Sequence, residues 1–192
     1  AFWYCSEVNY ITLGNNLKYI GNAAFEACDK LQTVNFNSIE TLFGISYGDW
    51  SANPFNRASK LHVNGEELTE LVIPESFTEV NQGFFPDNVR GQITSVVIPN
   101  SVTKIGDYAF SSWSNLTSIV IPNSVDSIGK YAFGSCYELA YISIGDKVKF
   151  FDERAFESCD KLQTVNVNSI ETLFGISYGD DWWSNPFNRA SK

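Results

Sequence analysis

One arrangement of apolar and polar positions returns again and again along the chain. In LTSIVIPNSVDSIGKYAFGSCYE, beginning at Leu116, the apolar residues Leu116, Ile119 and Ile121 are spaced by three positions and then by two. That is the spacing of a chain entering a short strand with one buried face. Ser118 and Val120 alternate with them and are expected to face outward. Pro122 lacks an amide donor and Asn123-Ser124 favours a turn, so the strand stops there. Val125 and Ile128 re-enter the core, and Gly129 permits a backbone conformation that other residues resist. Tyr131 to Cys136 is expected as a tight, helical return that buries Ala132 and Phe133.

The same 23-residue frame runs from Ile93 as ITSVVIPNSVTKIGDYAFSSWSN, from Leu139 as LAYISIGDKVKFFDERAFESCDK, and from Val8 as VNYITLGNNLKYIGNAAFEACDK, with a looser copy from Leu68. A single coil buries too few side chains to offset the entropy of ordering its backbone, so it cannot fold alone. Stacked coils bury each other's flanks and join their strands in a parallel sheet, spaced by about 4.8 Å. The text therefore predicts a solenoid, with the parallel sheet on one face and short helical or irregular returns on the other.

Two stretches depart from the frame. LQTVNFNSIETLFGISYGDWSANPFNRASK (31–60) and LQTVNVNSIETLFGISYGDDWWSNPFNRASK (162–192) are near-duplicates 131 residues apart, each with a lengthened return. Between short strand-forming runs, Asn64-Gly65 signals a two-residue hairpin and makes 61–69 a hairpin connection. The chain opens on Ala1-Phe2-Trp3-Tyr4-Cys5, the motif AFxxC that elsewhere sits mid-coil. Residues 1–192 are thus expected to form one solenoid that is a piece of a longer array, without a polar cap at either end.

Composition narrows the partners. The hydrophobic fraction of 44% contains no uninterrupted apolar run long enough for a membrane span, and no membrane insertion is expected. A formal net charge of −9 opposes binding to nucleic acid, which needs a basic stripe. Cys5, Cys28, Cys136 and Cys159 form no CxxC pair, but Cys5 and Cys28, and likewise Cys136 and Cys159, are 23 residues apart and so occupy one place in adjacent coils. They stack as small hydrophobes or, in the sharper alternative, turn toward each other as a disulfide.

With these residues in view, IPNSVTKIGDYAF, IPNSVDSIGKYAF, the AFxxC return and the NPFN…LHVNGEEL connection resemble the BspA-like leucine-rich repeats. The resemblance covers essentially the whole chain and implies a strand-dominated leucine-rich-repeat solenoid of the α/β type. Members of that family are typically large surface or secreted proteins of host-associated bacteria and some protists, several of them adhesins. By resemblance, the chain is expected to be extracellular and to bind a protein or glycan. Gly145 replaces the usual Pro, and Trp113 the usual Cys, which marks those positions as packing sites.

Chemistry is sparse. The only histidine, His62, lies in the hairpin and is expected to be structural or solvent-exposed. Glu66-Glu67 and Asp180-Asp181 are read as solvated turns. EF-hand spacing is absent, and neither a metal nor another cofactor is expected. Two surfaces remain as candidates for binding. The long returns gather Phe43, Tyr47, Trp50 and Phe55 in one copy and Phe174, Tyr178, Trp182, Trp183 and Phe187 in the other. Of these, Tyr47, Trp50, Tyr178, Trp182 and Trp183 are the candidate contacts, unless the rings fill a wider core. The second surface is the outward row of the strands: Tyr10, Thr33, Asn35, Ser118, Val120, Tyr141, Thr164 and Asn166, with Thr12, Glu70, Val72, Ser95, Val97 and Ser143 between them. Such a stripe suits broad, shallow contact with a protein. Head-to-tail self-association into a filament through uncapped ends is the alternative expectation.

Overall fold

The computed structural model describes residues 1–83, 85–180 and 182–188, except the Trp183 side chain. It divides into two compact units, Ala1–Leu68 with Pro86–Gln92, and Thr69–Phe85 with Ile93–Lys192.

In the first unit the strands are β1 (Tyr10–Leu13), β2 (Tyr19–Ile20), β3 (Thr33–Phe36), β4 (Ser46–Tyr47), β5 (Lys60–Val63) and β6 (Glu66–Glu67), with helix α1 at Ile39–Gly44. β1, β3 and β5 are parallel neighbours, in the register Tyr10↔Thr33↔Lys60. β6 folds back antiparallel on β5, pairing Val63 with Glu66. Asn64 (φ 54°) and Gly65 (φ 87°) between them both adopt the left-handed conformation that a type I′ turn requires. The Gln92 side chain lies along β5 like another strand. Its Oε1 accepts from Leu61 N at 2.9 Å, and its Nε2 donates to Leu61 O at 2.7 Å and to Leu68 O at 2.6 Å.

The second unit carries two parallel ladders. Long strands β7 (Glu70–Val72), β9 (Ser95–Val97), β11 (Ser118–Val120), β13 (Tyr141–Ile144) and β15 (Thr164–Val167) form one. Two-residue strands β8 (Glu79–Val80), β10 (Lys104–Ile105), β12 (Ser127–Ile128), β14 (Phe150–Phe151) and β16 (Ser177–Tyr178) form the other, and helix α2 (Ile170–Gly175) follows β15. Coils stack in register at the sequence period, Ser118↔Tyr141↔Thr164, with Ile119 against Ile142. Ile98, Ile121 and Ile144 all point into the core, and Ile121 N donates to Ser143 O at 2.8 Å.

The return is not helical. Tyr108, Phe110 and Ser112 send alternate amides to Lys130, Ala132 and Gly134 of the next coil at 2.7–2.9 Å. Tyr131, Phe133 and Ser135 do the same to Glu153, Ala155 and Glu157. An amide spent between coils cannot close an intrahelical bond. The residues that turn the chain to make this possible are left-handed: Tyr131 at φ 51° and Ser135 at φ 60°, with equivalents in every regular return. Inside, the phenylalanines stack coil on coil, Phe110 on Phe133 at 5.3 Å and Phe133 on Phe156 at 5.4 Å. Gly129 is needed for space and not for its dihedral freedom, because a Cβ there would lie 2.7 Å from the Asp107 backbone nitrogen of the preceding coil. Trp113, in the cysteine position, is buried against Phe85 and Phe110 with ring centroids 5.3 and 5.2 Å away.

The cysteines stack as thiols. Each buried sulfur reaches back to a phenylalanine carbonyl of the preceding coil: Cys28 Sγ to Phe2 O at 3.0 Å, and Cys136 and Cys159 Sγ to Phe110 and Phe133 O at 3.1 Å. Burial, opposed in part by the Cys5 amide, pushes the Cys28 pKa up, which keeps the sulfur protonated and able to donate.

Candidate binding surfaces

Strand alternation sends every second residue of the long ladder away from the core. In the second unit this produces two rows. One consists of Glu70, Ser95, Ser118, Tyr141 and Thr164, and the other of Val72, Val97, Val120, Ser143 and Asn166. Val72, Val97 and Val120 are 52%, 45% and 58% exposed, and Tyr141 beside them is exposed as well. Three in-register β-branched side chains therefore form a continuous apolar strip, flanked by Glu70, Ser95, Ser118 and Tyr141 of the other row.

The equivalent face in the first unit is closed. Thr33 and Asn35, expected on an open surface, are 9% and 5% exposed. The rings of Tyr10 on β1 and His62 on β5 meet edge to face at 6.3 Å, spanning the strand between them. Asn35 Nδ2 donates to Thr12 Oγ1 at 3.3 Å and its Oδ1 accepts from Gly65 N at 2.8 Å, so the side chain holds the hairpin. Tyr10 remains exposed. His62 is half-buried, with Nδ1 3.2 Å from Gly65 O, and serves packing.

The long returns split their aromatics. Phe55 is buried against Phe36, while Trp50 projects from the short 3-10 turn Trp50–Ala52 with the Arg57 guanidinium 6.0 Å from its ring. Asp49 caps that turn, accepting from Ala52 N at 2.8 Å and from Ala23 N at 3.2 Å. Tyr47 is half-buried and desolvation pushes its pKa up to about 12, so its role is in packing more than in contact. Tyr178 is half-buried and shifted upward for the same reason, and Trp182 is exposed. The Trp183 side chain and Asp181 lie outside the described residues.

Against this geometry, the model of the BspA type leucine rich repeat region matches in six copies over residues 1–48 and 57–177. The chain belongs to the BspA type leucine rich repeat family. Among solved structures it is similar to the leucine rich repeat protein of T. pallidum, at 22% identity and a TM-score of 0.53, covering 89% of this chain and 73% of that one. It is also similar to a leucine-rich repeat protein from Bacteroides ovatus, at 19% identity and a TM-score of 0.48, covering 93% of this chain and 58% of that one. A search of curated proteins finds no match. Membership of the BspA type family points to a protein-interaction or surface role.

No group of three or more His, Cys, Asp or Glu side chains among the described residues could hold a metal ion. No helix among them is long and apolar enough to cross a membrane. Reading strands alone passed over Tyr19 and Phe150, exposed on the short strands β2 and β14 of this BspA type chain. The signal that would have found them is the residue preceding each buried Ile20 or Phe151, once a second strand per coil is recognised.

Proposed function

We propose that this chain is an extracellular recognition and adhesion module that binds a host or community protein through the open face of the long ladder. The observation that carries this reading is the exposed column Val72, Val97 and Val120, aligned by the parallel register and bordered by Tyr141. An apolar strip bordered by Ser95, Ser118 and Ser143, with Glu70 beside Val72, offers desolvation at its centre and hydrogen bonds at its rim, the composition of a protein contact. Such a stripe suits broad, shallow protein contact more than a small-molecule pocket. The side-chain-exposed tryptophans Trp50 and Trp182 are secondary candidates, better suited to a sugar ring or a loop. An extracellular setting follows the family's surface character.

The test is a binding screen of the intact chain against extracellular-matrix proteins and a glycan array. It is repeated with Val97→Asp/Val120→Asp and with Trp50→Ala/Trp182→Ala. Loss of protein binding in the valine variant, with native circular dichroism, supports the reading. Binding lost only in the tryptophan variant refutes it in favour of the loops, and long fibres in electron micrographs with no ligand bound refute it in favour of an assembling subunit.

A further inference from the structure

A covalent modification site, independent of the reading above, is built into the β5–β6 hairpin. Asn64-Gly65 is the one Asn-Gly step in the chain. With no side chain on the residue after the asparagine, the following amide nitrogen meets the least steric hindrance in reaching the asparagine's side-chain carbonyl. Both residues are exposed at the tip of the turn. Hydrogen bonds hold that tip in place. Asn64 N donates to Phe36 O at 2.8 Å, His62 Nδ1 lies 3.2 Å from Gly65 O, and Gly65 N donates to Asn35 Oδ1 at 2.8 Å. The last of these matters most, because Gly65 N is the atom that would react. Its acceptor is itself fixed: Asn35 is buried, and its Nδ2 donates to Thr12 Oγ1 at 3.3 Å.

We propose that Asn64 is a site of spontaneous succinimide formation, with water as the only co-reactant, and that the Asn35 side chain is the lock that slows it. Ring closure joins Gly65 N to Asn64 Cγ, and the Asn64 side-chain nitrogen leaves as ammonia, carrying the proton that Gly65 N gives up. Water then opens the five-membered imide at either carbonyl and returns aspartate or isoaspartate, with no change of oxidation state. While the Gly65 amide points at Asn35 Oδ1, its nitrogen is not free to lose the proton or to turn toward Cγ, so the turn must open first. The isoaspartyl product routes the backbone through Cγ of residue 64, which adds a methylene to the main chain and sets a carboxylate beside Glu66 and Glu67. The two-residue turn, with Asn64 at φ 54° and Gly65 at φ 87°, is a geometry for a main chain without that extra atom. The modified turn therefore comes off Asn35, and the cover that it gives to the strand face of the first unit is lost irreversibly.

The intact chain is held at neutral pH and body temperature, sampled over weeks, digested and read by mass spectrometry, with isoaspartate counted by enzymatic methylation. A synthetic peptide with the text of Ser59–Leu68 is the unlocked reference. The peptide should convert fastest, and the intact chain should convert at Asn64 ahead of its other asparagines. Asn35→Ala, with native circular dichroism, should convert about fivefold faster than the intact chain, the worth of one hydrogen bond. Asn35→Asp keeps an acceptor for Gly65 N and should stay at the slow rate. Conversion of the intact chain as fast as the peptide, or first at another asparagine, or unchanged by Asn35→Ala, overturns the inference. So does equal acceleration by Asn35→Ala and Asn35→Asp, which would make general loosening of the strand, and not loss of the acceptor, the cause. In the isolated isoaspartyl chain the Gly65 amide should lose its exchange protection, and protection retained there overturns the release of the turn.

Discussion

Strands β3 and β15 share four residues of text except the last, and both lead through the same six-residue helix, IETLFG, to the same two-residue strand, Ser-Tyr. Their surroundings differ. β3 is buried at all four positions and β15 at none. What differs is the neighbour: β3 lies between β1 and β5, whereas among the described residues β15 pairs with β13. Local text therefore sets the strand, the helix and the turn, while burial, and with it most of the stabilisation, is set by what packs against them. In an array whose stability is a sum over adjacent coils, identical words have unequal weight.

The largest test of that contrast is aromatic. Phe55 is 2% exposed and stacked on Phe36 at 6.1 Å, but its counterpart Phe187 is half-buried, and Val167 stands where Phe36 would be. Phe55→Ala should destabilise the first unit by about 3–5 kcal/mol, as expected for a core phenylalanine. Phe187→Ala should cost under about 2 kcal/mol, because less area leaves water. Amide hydrogen exchange, read separately over 31–60 and 162–188, measures both. Equal losses would mean that neighbours do not set the weight.

Next come the paired asparagines. Asn35→Ala removes a buried side chain that accepts from the Gly65 amide of the exposed turn and bonds Thr12, and should cost about 1–3 kcal/mol. Asn166→Ala, at an exposed position, should stay within about 0.5 kcal/mol. Urea unfolding followed by Tyr10 and Trp50 fluorescence reports the first, and exchange protection of β15 reports the second. Gly65→Ala should be smaller than Asn35→Ala, about 1 kcal/mol, since it strains the left-handed φ of 87° but keeps the amide donor.

These same residues show how far the sequence could be read. The 23-residue frame, the parallel long ladder and the inward Ile119, Ile142 and Phe133 were legible because alternation and a stop signal lie within a few residues of each other. The short ladder was not, because Ser127-Ile128 is too brief to show any period. The return looked helical because Ala132, Phe133 and Cys136 fall on one helical face. Its amides bond to a coil 22 residues on, which no local pattern reveals. Of the candidate contacts, Val120, Tyr141 and Trp50 are exposed as alternation and loop position imply. Thr33 and Asn35 were misplaced by the same rule, because their cover arrives from Tyr10 and the hairpin at His62, both distant in sequence.

The smallest effect at neutral pH, and the subtlest form of the comparison, lies in Tyr47 and Tyr178, which follow α1 and α2 at equivalent positions. Desolvation raises Tyr47 from 10.0 to about 12 and raises Tyr178 as well. A raised phenol pKa means that the folded state holds its proton longer than the unfolded one. Its stabilising contribution is therefore complete below pH 10 and declines as pH rises through about 12. Absorbance titration near the phenolate band should show Tyr47 ionising last, its step removed by Tyr47→Phe, with 31–60 losing exchange protection over that interval. If Tyr47 and Tyr178 instead ionise together at the pH of a free phenol, the unequal burial of the two copies does not extend past their helices.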